Sequence, residues 1–132
     1  MDFQQLRECA EILPGLHDFA FFGNPPKPGG NTVREVIAAS WGNQAGGQMR
    51  FEVTANAFLY HMVRRLVYGQ ILVGQGKISI QDWSDAVQKI RPLPPGLAPP
   101  QGLVLVAVGY SVHGKRRSGF DDKTDCYIEK ND

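Results

Sequence analysis

Cysteine is scarce in this sequence. Cys9 and Cys126 are its only two, they match no metal-binding or redox spacing, and both read as reduced thiols. No stretch approaches the roughly 20 consecutive apolar residues that a membrane-spanning helix needs. The opening run Met1-Asp2-Phe3-Gln4-Gln5 has neither the basic nor the apolar region of a signal peptide. An excess of one charge is missing as well. Fourteen Lys and Arg stand against 13 Asp and Glu, a net charge of +1, so composition is neutral on a nucleic-acid partner. Local concentrations exist at Arg64-Arg65 and Lys115-Arg116-Arg117; such clusters either reach phosphate or are simply solvated. What remains is a soluble, cytoplasmic chain of 132 residues with 42% hydrophobic content, enough for a single core.

Catalytic signatures are also few. There is no Walker-type glycine loop, no GxSxG elbow and no HExxH. His17, His61 and His113 fall on separate elements without ligand spacing, so no metal is expected. Gly69, Gly74 and Gly76 read as helix-end glycines. His17-Asp18 is open to two readings, an acid/base pair or a turn that one of them caps. Adjacent residues seldom face one site, which favours the turn.

Periodicity then orders the chain. Asp2 and Gln5 stand at capping-box spacing, and Phe3, Leu6, Ala10 and Leu13 share one helical face, predicting a helix over 2–13 that Pro14-Gly15 stops. Residues 22–31, dense in proline and glycine, form a loop. A strand is expected over 32–41, a turn over 42–47 and a returning strand over 49–55, where Phe51, Val53 and Ala55 alternate with polar residues. Helical spacing predicts a helix over 58–74. Ser79 and Asp82 then cap a shorter helix carrying Trp83, Ala86, Val87 and Ile90. After the proline-rich 92–100, residues 103–108 are apolar on both faces and predict a central, doubly covered strand. The resulting class is α+β, an antiparallel or mixed sheet with helices packed on one face. Residues 1–112 form the domain, and 113–132 a polar tail.

On the helix predicted over 58–74, Phe58, Leu59, Met62, Val63, Leu66 and Val67 gather on one side. Tyr60, His61, Arg64 and Tyr68 fall on the other. A solvated surface is the commoner meaning of a polar stripe. Exposed helix faces usually carry Glu, Lys and Gln, however, and this one carries two aromatics, a histidine and an arginine. Those side chains stack on bases and pair with carboxylate or phosphate. Residue chemistry alone leaves both meanings open.

The run Asn56-Ala57-Phe58-Leu59-Tyr60-His61-Met62-Val63-Arg64 closely resembles the most diagnostic stretch in the C-terminal half of the tRNA pseudouridine synthase A family. Gly15-Leu16-His17-Asp18-Phe19, Thr32-Val33-Arg34, Val73-Gly74-Gln75-Gly76-Lys77 and Ala98-Pro99-Pro100 through Gly102-Leu103-Val104-Leu105 resemble further family segments in the same order. Gly23 departs from it, since the family often has a basic residue there. The resemblance implies the C-terminal half of the pseudouridine synthase fold. It implies an enzyme that isomerises uridine in the tRNA anticodon stem-loop without metal or cofactor, as a homodimer. By motif, Arg64 would pair with the catalytic aspartate and Leu103 would line the uracil pocket. Tyr60, His61, Arg65, Tyr68 and Arg34 would meet RNA.

The family's aspartate belongs to a G-R-T-D-x-G-V-H-A run in its N-terminal half, and no such run occurs in this sequence. The chain is therefore expected to be inactive alone and to need that half as a partner. The alternatives are a non-catalytic RNA-binding module, with Arg34, Arg50, Arg65 and Lys115 to Arg117 on phosphates, or a dimerisation module.

Overall fold

Asp2 sits in extended backbone, and its carboxylate accepts the Gln5 amide at 3.2 Å, which starts helix α1 (Phe3–Ile12) at the predicted place. The computed structural model describes residues 1–43, 48–96, 103–109 and 126–131, with side chains at 103 and 126–131 outside that description. The elements that follow are β1 (Gly15–Asp18), β2 (Val33–Asn43), β3 (Met49–Ala55), α2 (Met62–Gly74), α3 (Ile80–Val87), β4 (Leu103–Gly109) and β5 (Cys126–Asn131).

The strands form one sheet in the order β1-β2-β3-β4-β5. β3 and β4 are parallel, and the other pairings are antiparallel. A parallel pair needs a crossover, and α2 and α3 provide it. The expected mixed α+β class is thus what the chain adopts.

One bulge keeps the core face continuous. Val36 pairs with Ala55 but Ala38 pairs with Thr54, so Ile37 is the extra residue, and it is exposed. The insertion reverses the alternation along β2. Val36, Ala39 and Trp41 therefore all oppose the inward residues Ala55, Val53 and Phe51. Leu105 and Ala107 of β4 continue that face. Against it pack Leu6, Cys9 and Leu13 from the first helix region, Met62, Leu66 and Val67 from α2, and Trp83 and Val87 from α3.

Two buried hydrogen bonds tie the layers. The Trp41 indole donates to Gln70 Oε1 at 2.9 Å, while Gln70 Nε2 donates to the Leu66 carbonyl at 3.0 Å. The Trp83 indole donates to the Cys9 carbonyl at 3.0 Å. Burial, with Glu8 close by, pushes the Cys9 thiol up to about 12. The raised value makes it a poor nucleophile at neutral pH.

Several expectations need correction. β1 was not anticipated; four residues with one exposed leucine carry no strand pattern, and pairing with β2 makes them a strand. β2 runs on through Gly42 and Asn43, because Asn43 still pairs with Met49. The rest of the expected turn, 44–47, lies outside the described residues. Ile90 is not on α3: that helix ends at Val87, Lys89 is left-handed at φ 60°, and Ile90 is exposed. Gly69 is not a helix-end residue but sits mid-helix, where a Cβ would come within 2.7 Å of the Trp83 ring. Within the polar tail, residues 126–131 form a strand against β4.

Candidate functional site

Four backbone devices meet at the carboxyl end of β3. Asn56 closes the strand, donating its amide to the Glu35 carbonyl at 3.0 Å and accepting the Glu35 amide on Oδ1 at 2.9 Å. Tyr60 and Asn24 then exchange both backbone hydrogen bonds, at 2.9 and 3.3 Å. His61 turns left-handed, at φ 67° and ψ 1°, and α2 begins at Met62. The first helical acceptor is the His61 carbonyl, which takes the Arg65 amide at 3.1 Å.

The helix therefore starts four residues later than its periodicity suggests. Phe58 and Leu59 fall at helical spacing from Met62, yet the Asn24–Tyr60 bridge claims the backbone there. Tyr60 and His61 consequently do not share a helical stripe with Arg64 and Tyr68. They form an exposed pair ahead of the helix, with ring centroids 3.9 Å apart.

Arg64 is the third residue of α2, half-buried, and Arg65 follows it. The first turn holds no acidic residue and His61 makes no side-chain cap. Two arginines at an uncapped N-terminus work against the helix dipole, whose positive end lies there. The same dipole favours an anion, carboxylate or phosphate, at this end of the helix.

Gly23 makes the site's geometry possible. A Cβ on it would collide with the Tyr60 carbonyl and lie 2.8 Å from Leu59 Cβ. The departure from the family's basic residue is thus matched by close backbone packing. Gly23→Lys should cost about 1–3 kcal/mol of stability, as overpacking does, when measured by urea unfolding. An unchanged midpoint would show that the 59–61 segment yields freely.

Asp18 anchors the neighbouring turn. Oδ1 accepts the Thr32 hydroxyl at 2.6 Å and the Ala20 amide at 3.0 Å, and Oδ2 meets Lys89 Nζ at 3.0 Å. The Thr32 hydrogen bond, helped by Lys89 and Ala20, holds its pKa below the usual carboxylate value. His17 turns to its own loop, with Nε2 3.4 Å from the Pro14 carbonyl and its ring edge-on to Phe19. The turn reading, not the acid/base pair, describes these two. A folded pKa below the unfolded one gives stability that is present above the unfolded value, roughly 4. That stability is lost as pH falls through the folded value. The stability gap between wild type and Asp18→Asn should therefore narrow on acidification, in urea unfolding across a pH series. A gap constant down to pH about 2 would remove the ionised carboxylate from the account.

The other sequence-predicted residues lie as follows. Arg34 is 9% exposed, and its Nη1 donates to the Asn31 and Val33 carbonyls, both at 2.8 Å. Tyr68 donates to the Pro95 carbonyl at 3.2 Å, and Gly96 approaches its ring, so the 92–96 segment lies over it. Leu103 opens β4 beside Met49. Gln70 near the end of α2 meets Trp41, whose partner is Phe51, so the later turns of α2 lie over the start of β3. Arg64 follows the carboxyl end of β3 by nine residues, and Leu103 pairs with the first residue of that strand. The side chain of Leu103 lies outside the description. Sequence reasoning missed the Gly23–Asn24 clasp, and no periodic signal could have revealed it.

A family model described as tRNA pseudouridine synthase matches residues 9–111. The tRNA pseudouridine synthase A of Methylacidiphilum infernorum is 38% identical over 112 residues, covering 83% of this chain and 44% of that protein. The one from Pyrococcus horikoshii is 35% identical over 129 residues, covering 91% and 47%. That of Neisseria meningitidis serogroup B is 32% identical over 111 residues, covering 83% and 42%. The chain spans less than half the length of these curated relatives.

Proposed function

The chain belongs to the tRNA pseudouridine synthase family, and from that premise we propose that it supplies Arg64 to a site that isomerises uridine in tRNA. One observation supports the reading: Arg64 stands half-buried in the first turn of α2, at the end of the helix whose dipole favours an anion. Arg64 pairs with a catalytic carboxylate that comes from beyond residues 1–132. A guanidinium there holds the carboxylate ionised and oriented through a bidentate contact.

The reaction needs the uridine out of its stack. The bond from C1′ to N1 breaks, the uracil turns, C1′ bonds to C5, the C5 proton passes to solvent, and N1 takes up a proton in its place. Nothing is oxidised or reduced, so the step needs no redox cofactor. Tyr60, 68% exposed beside α2, offers a ring for an unpaired base, and Arg65 a charge for phosphate. The substrate is the tRNA anticodon stem-loop, the working form a homodimer completed by the N-terminal half, and the compartment the cytoplasm. No described helix is long and apolar enough to cross a membrane.

Nucleoside analysis of tRNA treated with this chain and a relative's N-terminal half tests the reading. Pseudouridine in the digest supports it. Intact uridine from a mixture that binds tRNA contradicts it and leaves a non-catalytic RNA-binding module.

A further inference from the structure

Between the Asn24–Tyr60 bridge and the first turn of α2 stands a single residue, His61. The bridge fixes Tyr60 from one side. The Met62 amide reaches back to the Leu59 carbonyl at 3.1 Å, and the His61 carbonyl accepts the Arg65 amide at 3.1 Å. The helix leaves the bridge in a direction set by the φ and ψ of this one residue. Those are 67° and 1°, the left-handed region. Lys89 is the one other non-glycine residue with positive φ among the described residues.

An ordinary L-residue populates that region less by roughly five- to thirtyfold. Histidine, asparagine and aspartate are enriched there, and β-branched residues are genuine outliers. The imidazole meanwhile makes no capping hydrogen bond and lies exposed against Tyr60. We propose that His61 is a positioning residue that aims Arg64 through its left-handed backbone, a role its ring does not serve. The proposal deepens the function given above and rests on Arg64 acting at that site.

Three variants test it in this chain: His61→Gly, His61→Asn and His61→Val. Glycine and asparagine accept the left-handed backbone, and valine resists it. In the chain alone, the Arg64 Nε–Hε NMR resonance, assigned by its loss in Arg64→Lys, should keep its position in the Gly and Asn variants. It should move in His61→Val. In the presence of a relative's N-terminal half, kcat for tritium release from 5-tritiated uridine in tRNA should fall about a hundredfold for His61→Val, as a misplaced group costs. KM should change little. The Gly and Asn variants should keep kcat and its pH profile, while KM reports any contact that the ring makes with RNA.

Loss of kcat, or an altered pH profile of kcat, in the Gly and Asn variants would overturn the proposal in favour of imidazole chemistry. An unmoved Arg64 resonance in a folded His61→Val chain would overturn it too. If the wild-type mixture shows no turnover at all, the functional reading fails, and the resonance comparison still decides the positioning role.

Discussion

Trp83→Ala should remove about 3–5 kcal/mol of unfolding free energy, the range for an aromatic truncated in a core. Trp83 has no exposed surface, and its ring meets Phe22 edge-on at a centroid distance of 5.6 Å. Its far edge fills the gap that Gly69 leaves on α2. Its indole nitrogen is the donor to the Cys9 carbonyl, so one side chain joins α3, α2 and α1. Truncation opens a cavity among three helices and strands a buried carbonyl. Domains of this size are stable by about 5–15 kcal/mol in all, so the variant stands near the edge of folding. Trp83→Phe separates the parts: it retains much of the apolar contact and loses the donor, for about 1–3 kcal/mol. Urea unfolding of the three proteins measures both, and a cost below about 1 kcal/mol for alanine would show that the helices repack without the ring.

Arg64→Ala should lower the rate of the completed enzyme on the order of a thousandfold, as removal of a fixed charge-stabilising donor does. Affinity for tRNA should change little, because one half-buried arginine among several cations adds a small part of the phosphate attraction. Arg64→Lys should restore only part of the rate. An ammonium keeps the charge but not the planar fork that grips both oxygens of a carboxylate. Single-turnover rates and filter-binding affinities for the same variants decide the matter. If rate and binding fall together, Arg64 contacts phosphate instead.

Elements written in local chemistry were readable from the sequence. Ser79 and Asp82 form the reciprocal capping box of α3, with the Asp82 amide 3.0 Å from Ser79 Oγ and the Ser79 amide 3.0 Å from Asp82 Oδ2. The alternation of Phe51, Val53 and Ala55 marks the covered face of β3, all three being fully buried. The apolar run of β4 lies between β3 and β5 as a central strand should.

What escaped depends on distant partners. Gly15-Leu16-His17-Asp18 becomes a strand only because residues 33–36 lie beside it. Cys126–Asn131 reads as polar tail and is a strand only through β4. The false start of α2 has the same origin. Phe58 and Leu59 are apolar at helical spacing, but Asn24 pairs with Tyr60 from 36 residues away in sequence. The Asp18 turn was readable through its local chemistry, and Arg64 was singled out by motif resemblance. At His61 the residue type offered a ring to reason about, and the left-handed backbone at φ 67° could not be read from the sequence. Leu103 was singled out by motif resemblance alone, and its backbone opens β4 beside Met49.

The central claim is that this chain carries the arginine of a split active site and not its nucleophile. Release of tritium from 5-tritiated uridine in tRNA tests it most directly, with the chain alone, a relative's N-terminal half alone, and the two together. The account predicts no release from either part and release from the mixture, abolished by Arg64→Ala. Turnover by the chain alone, or turnover by the mixture that survives Arg64→Ala, would contradict it.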